Sequence, residues 1–233
     1  MTGPKQALDL QLAVFDITGT VITDTEAVAG AFTAALRANG IEITAEELQP
    51  WRGASKRLAI RSLIQSRSSA TPTVQHVEKV YADFRDEVRR RFEAEGLRPI
   101  SGVEDTFAWL RGRGIRLAFN TGFDRDIADL ILRTLKWEQG MVDAVICGDE
   151  VAQGRPAPFM IFRAMEKTGT VNVRRVAVVG DTTLDLEAGW NAGVGQIIGV
   201  LSGAHGLDRL GKAPHTKIVG SVADLPGLWG RPS

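Results

Sequence analysis

The sequence predicts an α/β protein, a doubly wound parallel sheet interrupted once by an inserted α-helical domain. Two observations carry this. Short apolar runs recur and stop at Gly or polar turn residues, as in Leu12-Ala13-Val14-Phe15 and Val176-Ala177-Val178-Val179. Runs this short and continuous fit strands buried on both faces. Helical patterns separate the later runs, and strands alternating with helices indicate a parallel sheet. The alternation fails only between the first strand and residue 99. We therefore expect a core of residues 1–25 and 99–233, and a helical domain of residues 26–98.

The elements follow in order. Residues 10–15 form the first strand, and Asp16 begins the turn Ile17-Thr18-Gly19-Thr20. Residues 26–39 read as a helix with Val28, Phe32, Ala35 and Leu36 on one face and Gly40 as its stop. Thr44 and Glu47 make a capping-box pattern. Residues 55–64 give another helix, 66–72 a polar connection, and 76–95 a long helix of balanced charge. Its Arg89-Arg90-Arg91 run reads as a solvated face. Beyond Pro99, helices at 102–111, 124–136, 158–167 and 184–192 alternate with strands at 116–120, 144–147, 176–179 and 196–200. A last strand is expected at 216–219.

Composition narrows the function. The 233 residues carry 28 Lys plus Arg and 28 Asp plus Glu, a formal net charge of zero. No basic excess is available for nucleic acid or an anionic membrane. No stretch approaches the about 18 apolar residues of a spanning helix, and the first residues do not resemble a secretory signal. A cytoplasmic protein is expected. The single cysteine, Cys147, defines neither a disulfide nor a metal site.

Three predicted strands end in Asp16, Thr121 and Asp181. Ligands of open α/β sheets bind outside the carboxyl ends of the strands, so these residues can meet in one crevice. Carboxylates held together repel unless a cation separates them. A hard ion such as Mg²⁺ suits oxygen ligands and a phosphate. Arg155 precedes Pro156-Ala157-Pro158 and could anchor that phosphate. A carboxylate facing it could attack and form an aspartyl phosphate. Each such Asp could instead be a simple helix cap.

The sequence resembles the haloacid dehalogenase superfamily. The matching pieces are Val14-Phe15-Asp16-Ile17-Thr18-Gly19-Thr20, Asn120-Thr121-Gly122, Gly154-Arg155-Pro156-Ala157-Pro158 and Val179-Gly180-Asp181-Thr182-Thr183-Leu184-Asp185. The resemblance implies a Rossmann-like core and makes the inserted helices a cap domain. It implies Asp16 as nucleophile and Mg²⁺ held by Asp16, the Thr18 carbonyl and Asp181, with Asp185 supporting the shell. Thr121 and Arg155 would hold phosphoryl oxygens, with Thr20, Asn120, Gly122 and Gly53 at the same substrate site.

One departure stands out. Phosphatases of this superfamily carry a second Asp two residues after the nucleophile, and here that position is Thr18. A hydroxyl is a poor general acid or base near neutrality. P-type ATPases share Asp-x-Thr-Gly-Thr and keep a lasting phosphoenzyme. Phosphonoacetaldehyde hydrolases lack the acid and use a cap lysine that forms a Schiff base. The segment Arg52-Gly53-Ala54-Ser55-Lys56 lies where that lysine is found, which places the chain in a phosphonatase-like branch. Its Arg52 and Ala59 depart from the phosphonatases proper, which have Met and His there.

The expected function is Mg²⁺-dependent hydrolysis of a small organic phosphate. C–P cleavage of phosphonoacetaldehyde with Lys56 is the alternative, and slow or non-hydrolytic phospho-ligand binding a further one. Dehalogenation fits less well, because Asp181, Thr20 and Arg155 suit phosphate and metal better than halide. The partner is a small phosphorylated or phosphonate substrate, and the chain is expected as a monomer or a cap-mediated homodimer. Residues 206–212 resemble a phosphate-binding loop but lack its hydroxyl residue, and read as a short helix and turn. His205 reads as a surface residue, with a substrate contact as the alternative, and the five tryptophans as packing.

Overall fold

The computed structural model describes residues 9–230 except 24, 25, 68, 70 and 139. Six strands form one parallel sheet: β1 (Leu12–Phe15), β2 (Arg116–Asn120), β3 (Ala144–Ile146), β4 (Val176–Gly180), β5 (Gln196–Val200) and β6 (Lys217–Val219). Their spatial order is β3-β2-β1-β4-β5-β6. The chain leaves β1 toward β2 on one side and β4 on the other. This reversal opens the crevice in which ligands of such sheets bind.

The sheet is covered on both faces, which explains the absence of a two-residue polar alternation in its strands. Ala13, Phe15, Leu117, Phe119, Val179 and Ile198 belong to one apolar cluster. Leu12, Val14, Ala118, Val176, Val178 and Ile197 belong to the other. The first cluster continues into the helical insertion through Phe32, Tyr81 and Phe84.

The insertion consists of α1 (Ala27–Ala38), α2 (Ala45–Leu48), α3 (Lys56–Gln65) and α4 (Val74–Glu95). Phe32 of α1 meets Phe84 of α4 edge-on at 5.3 Å. The expected capping box is present: the Glu47 amide donates to Thr44 Oγ1, and the Thr44 amide to Glu47 Oε2. The core helices are α5 (Val103–Arg111), α6 (Arg125–Leu135), α7 (Phe159–Thr168), α8 (Thr183–Ala192), α9 (Leu207–Leu210) and α10 (Leu225–Trp229). Residues 206–212 indeed form a short helix and turn. No helix among the described residues is long and apolar enough to cross a membrane.

Two expectations fail. Trp190 is 65% exposed rather than packed, because α8 turns its other face to the sheet. His205 is 2% exposed rather than a surface residue. Its imidazole is held by the start of α8, where the Thr183 amide donates to Nδ1. Burial, followed by the nearby Arg209 charge, lowers its pKa.

Candidate active site

Asp16 follows β1 directly, and its amide donates to the Val179 carbonyl of β4. Asp181 follows β4, and Asp185 lies in the first turn of α8. The parallel register brings these carboxylates together. One oxygen from each lies within 4.8 Å of the others, and all three residues are buried.

Arg155 holds this group from below. One guanidinium nitrogen, Nη1, donates to Asp16 Oδ1 at 2.7 Å and also to Asp185 Oδ1. Asp185 has a second task. Its Oδ2 accepts from the Thr182 amide at 3.0 Å and the Thr182 hydroxyl at 2.6 Å, capping α8. The capping role and the charge role fall on one residue, each using a different oxygen.

Asp181 is fixed from two loops. Thr20 Oγ1 donates to its Oδ1 at 2.9 Å, and the Ala204 amide to its Oδ2 at 2.7 Å. The His205 amide donates to the Asp181 carbonyl at 3.2 Å. Residues 202–205 thus grip Asp181 from the end of β5, with Ser202 Oγ also donating to the Gly19 carbonyl at 2.8 Å. Nothing in the sequence marks Ala204 and His205 for this task, because their amides do the holding of Asp181.

Three carboxylates beside one guanidinium leave a formal charge of −2 in a buried place. Burial pushes Asp16 up to about 6, with Asp185 adding to the rise and Arg155 opposing it. Asp181 is raised well above the carboxylate range by burial first, then by the charges of Asp16 and Asp185. Burial works against the charge of Arg155, but Asp185 and Asp16 outweigh it and raise its pKa. All-oxygen donors with excess negative charge match a hard divalent cation such as Mg²⁺. The residues therefore fit the metal that the sequence implies.

The cluster opens into a cleft of about 620 Å³, counted out to its mouth. From the core, Asp16, Thr18, Thr121, Arg155, Asp181 and Thr182 reach it. The Phe123 amide donates to Thr121 Oγ1 at 3.2 Å, so the hydroxyl proton is available to a ligand oxygen. Thr18 Oγ1 is buried and has no partner.

From the helical insertion, Gly53 and Lys56 reach the same cleft. Lys56 is 9% exposed, its Nζ donating to the Ala54 carbonyl at 3.3 Å and lying 5.2 Å from the Phe123 ring centre. The segment 52–56 lies directly on the core. Gly53 has φ +80°, and a Cβ there would stand 2.6 Å from Thr182 Oγ1. A Cβ on Gly122 would stand 2.8 Å from the Ala54 carbonyl oxygen. Side chains at either position would hold the two halves apart.

Ion pairs lock the seam. Arg57 donates to Glu78 within the insertion and to Asp124 of the core, at 2.6 Å in each case. Arg85 of α4 pairs with Asp126 of α6 at 2.8 Å. Phe123 stacks on Phe84 and meets Phe92 edge-on.

Not every expected site residue reaches the cleft. Thr20 binds Asp181 behind it, and Asp185 binds Arg155. Asn120 ends β2 fully buried, with neither amide atom partnered, and does not line the cleft. Trp51, Phe123 and Thr182 line it without having been singled out. Only Thr182 had a sequence signal, the Thr-x-x-Asp capping pattern at the start of α8.

The chain matches the haloacid dehalogenase-like hydrolase family over residues 13–199, and it belongs to that family. It is 28% identical over 210 residues to phosphonoacetaldehyde hydrolase of Bacillus cereus, covering 86% of this chain and 79% of that one. Among solved structures it resembles a phosphonoacetaldehyde hydrolase-like protein from Oleispira antarctica, with TM-score 0.85, 22% identity and coverage of 99% and 95% of the two chains. A putative β-phosphoglucomutase from Bacteroides vulgatus gives TM-score 0.83 at 18% identity, covering 97% of this chain and 89% of that one. The fold class and the haloacid dehalogenase-like membership expected from the sequence are thereby established.

Proposed function

We propose that this hydrolase moves a phosphoryl group from a small organic phosphate to Asp16 and then to water, with Mg²⁺ bound. The carrying observation is the convergence of Asp16, Asp181 and Arg155 at the floor of one cleft, with Asp185 behind them. An Asp16 oxygen attacks phosphorus as the bond to the leaving oxygen breaks. Water then attacks phosphorus, and the Asp16 carboxylate departs. Arg155 and the Thr121 hydroxyl hold the non-bridging oxygens through both steps. Mg²⁺, held by Asp16, Asp181 and the Thr18 carbonyl with Asp185 behind, would neutralise the approach of two anions. Residues 26–98 act as the cap that excludes water and selects the substrate.

A second reading is favoured by Lys56. Thr18 supplies no acid for a leaving alkoxide, while Lys56 and Asp16 line one cleft. With a phosphonate bearing a carbonyl two bonds from phosphorus, Lys56 would condense to an iminium ion and release water. As phosphorus passes to Asp16, the C–P electron pair enters the iminium and leaves an enamine. Protonation and hydrolysis return the lysine and a free carbonyl compound. The name of the Bacillus cereus relative supports this route.

Phosphate release from a panel that includes phosphonoacetaldehyde tests both. Asp16→Asn should abolish every activity found, and full activity in that variant removes the nucleophile assignment. Borohydride reduction with phosphonoacetaldehyde should add a stable mass at Lys56 if the second reading holds. No mass and no C–P cleavage leaves the phosphomonoester reading. A phosphoryl mass persisting on Asp16 without turnover points to slow phospho-ligand binding.

A further inference from the structure

We infer that the organic part of the substrate is a short, mainly hydrocarbon chain ending in a carboxylate, an acceptor-only group, and that sugar phosphates are excluded. This rests on the phosphoryl-transfer reading and deepens it.

The cap half of the cleft carries the inference. Val28, Ala29, Phe32 and Leu48 give it an apolar wall, and Trp51 adds an indole face. Phe123 extends the same surface from the core. The remaining cap side chains in the lining are Arg52 and Lys56. Among the described residues, the cap offers no carboxylate, amide or hydroxyl side chain to the cleft. Its polar side-chain groups are all donors: a guanidinium, an ammonium and an indole N–H.

A sugar hydroxyl donates as well as accepts, and several would face this wall at once. Each hydroxyl buried there without a partner weakens binding about tenfold. A hydrocarbon segment gains from the same wall by leaving water. A carboxylate accepts from Arg52 and Lys56 and asks the wall for no acceptor in return. Arg52 is already shaped for an anion, pairing with the exposed Glu26 at 3.2 Å. A ligand carboxylate would compete with Glu26 for the same guanidinium. Resemblance in fold to a putative β-phosphoglucomutase does not alter this, because the fold leaves the cap lining free to vary.

The test compares kcat/KM for 4-phosphooxybutanoate, butyl phosphate, ribose 5-phosphate and glucose 6-phosphate. We expect 4-phosphooxybutanoate to lead both sugar phosphates by at least about a hundredfold, two unpaired hydroxyls at tenfold each. Val28→Asn should lower its kcat/KM about tenfold with Tm unchanged, since Val28 is only half-buried. Arg52→Gln should erase its lead over butyl phosphate. A sugar phosphate hydrolysed as fast as 4-phosphooxybutanoate, with Asp16 still required, overturns this inference and leaves the phosphoryl-transfer reading standing. If no compound shows Asp16-dependent turnover, that reading falls, and Tm shifts with inert phosphonates decide the lining alone. In Mg²⁺ buffer, 4-phosphonobutanoate should raise Tm above the shift given by the phosphonate isostere of glucose 6-phosphate. An equal or smaller shift overturns the inference.

Discussion

On the core side of the cleft, four charged side chains from three loops meet, and each is bonded to at least one other group. On the cap side, an apolar wall surrounds two cations. In the proposed reaction the core side addresses phosphorus, whatever the substrate's organic part. The cap side addresses everything else. In that reaction, type and specificity are thus physically separate, joined along a seam where Gly53 and Gly122 leave no room for a side chain.

The largest expected effect lies at the centre of the core side. Asp16→Asn should lower phosphate release at least about 10³-fold, as loss of a nucleophile does. Its Tm should stay level or rise, because the substitution removes one of three like charges. Collapse of the fold instead would show that Asp16 is structural, and would erase the contrast between the two halves.

Next comes the cation beneath the carboxylates. Arg155→Met leaves Asp16 and Asp185 buried without their partner. Breaking such a pair costs about 3–5 kcal/mol, a fall of roughly 10 °C in Tm for a chain of this size. Calorimetry checks this, and Mg²⁺ should restore part of the loss.

Metal removal is a smaller effect on stability. Saturating Mg²⁺ should raise Tm by several degrees and EDTA should reverse it, since a ligand at 100 times its Kd adds about 2.7 kcal/mol. No response in the wild type, with a response in Asp181→Asn, would contradict the proposed ligand set.

The smallest effect is at the seam. Arg57→Gln removes the bridge between cap and Asp124. Partly exposed pairs are worth about 0.2–1 kcal/mol. We expect KM to rise a few-fold, kcat to change less, and the difference from wild type to shrink in high salt. A large loss of kcat would mean that the seam reaches into the chemistry.

Much of this protein was legible in its sequence. The strands of the sheet, the helical insertion and the capping box at Thr44 follow from apolar periodicity and local hydrogen-bonding rules. So do Asp16, Thr121 and Asp181 as strand-end residues. Others were out of reach for identifiable reasons. Thr20 was expected at the phosphoryl group, but it orients Asp181. The loop at 202–205 holds Asp181 through the amides of Ala204 and His205, which leave no mark on residue type. His205 reads as a surface residue by type, yet the loop after β5 folds it under the start of α8.

By itself, the sequence determined which residues end the strands and therefore which chemistry can gather there. Strand ends of a parallel sheet all point to one edge, so a carboxylate after each of two apolar runs lies at that edge, and the pairing of β1 with β4 brings the two together. The tertiary structure alone decided the cap lining, the double duty of Asp185 and the burial of Lys56. Those depend on how one helical face leans on a distant loop, a contact between residues far apart in the chain that no local pattern encodes.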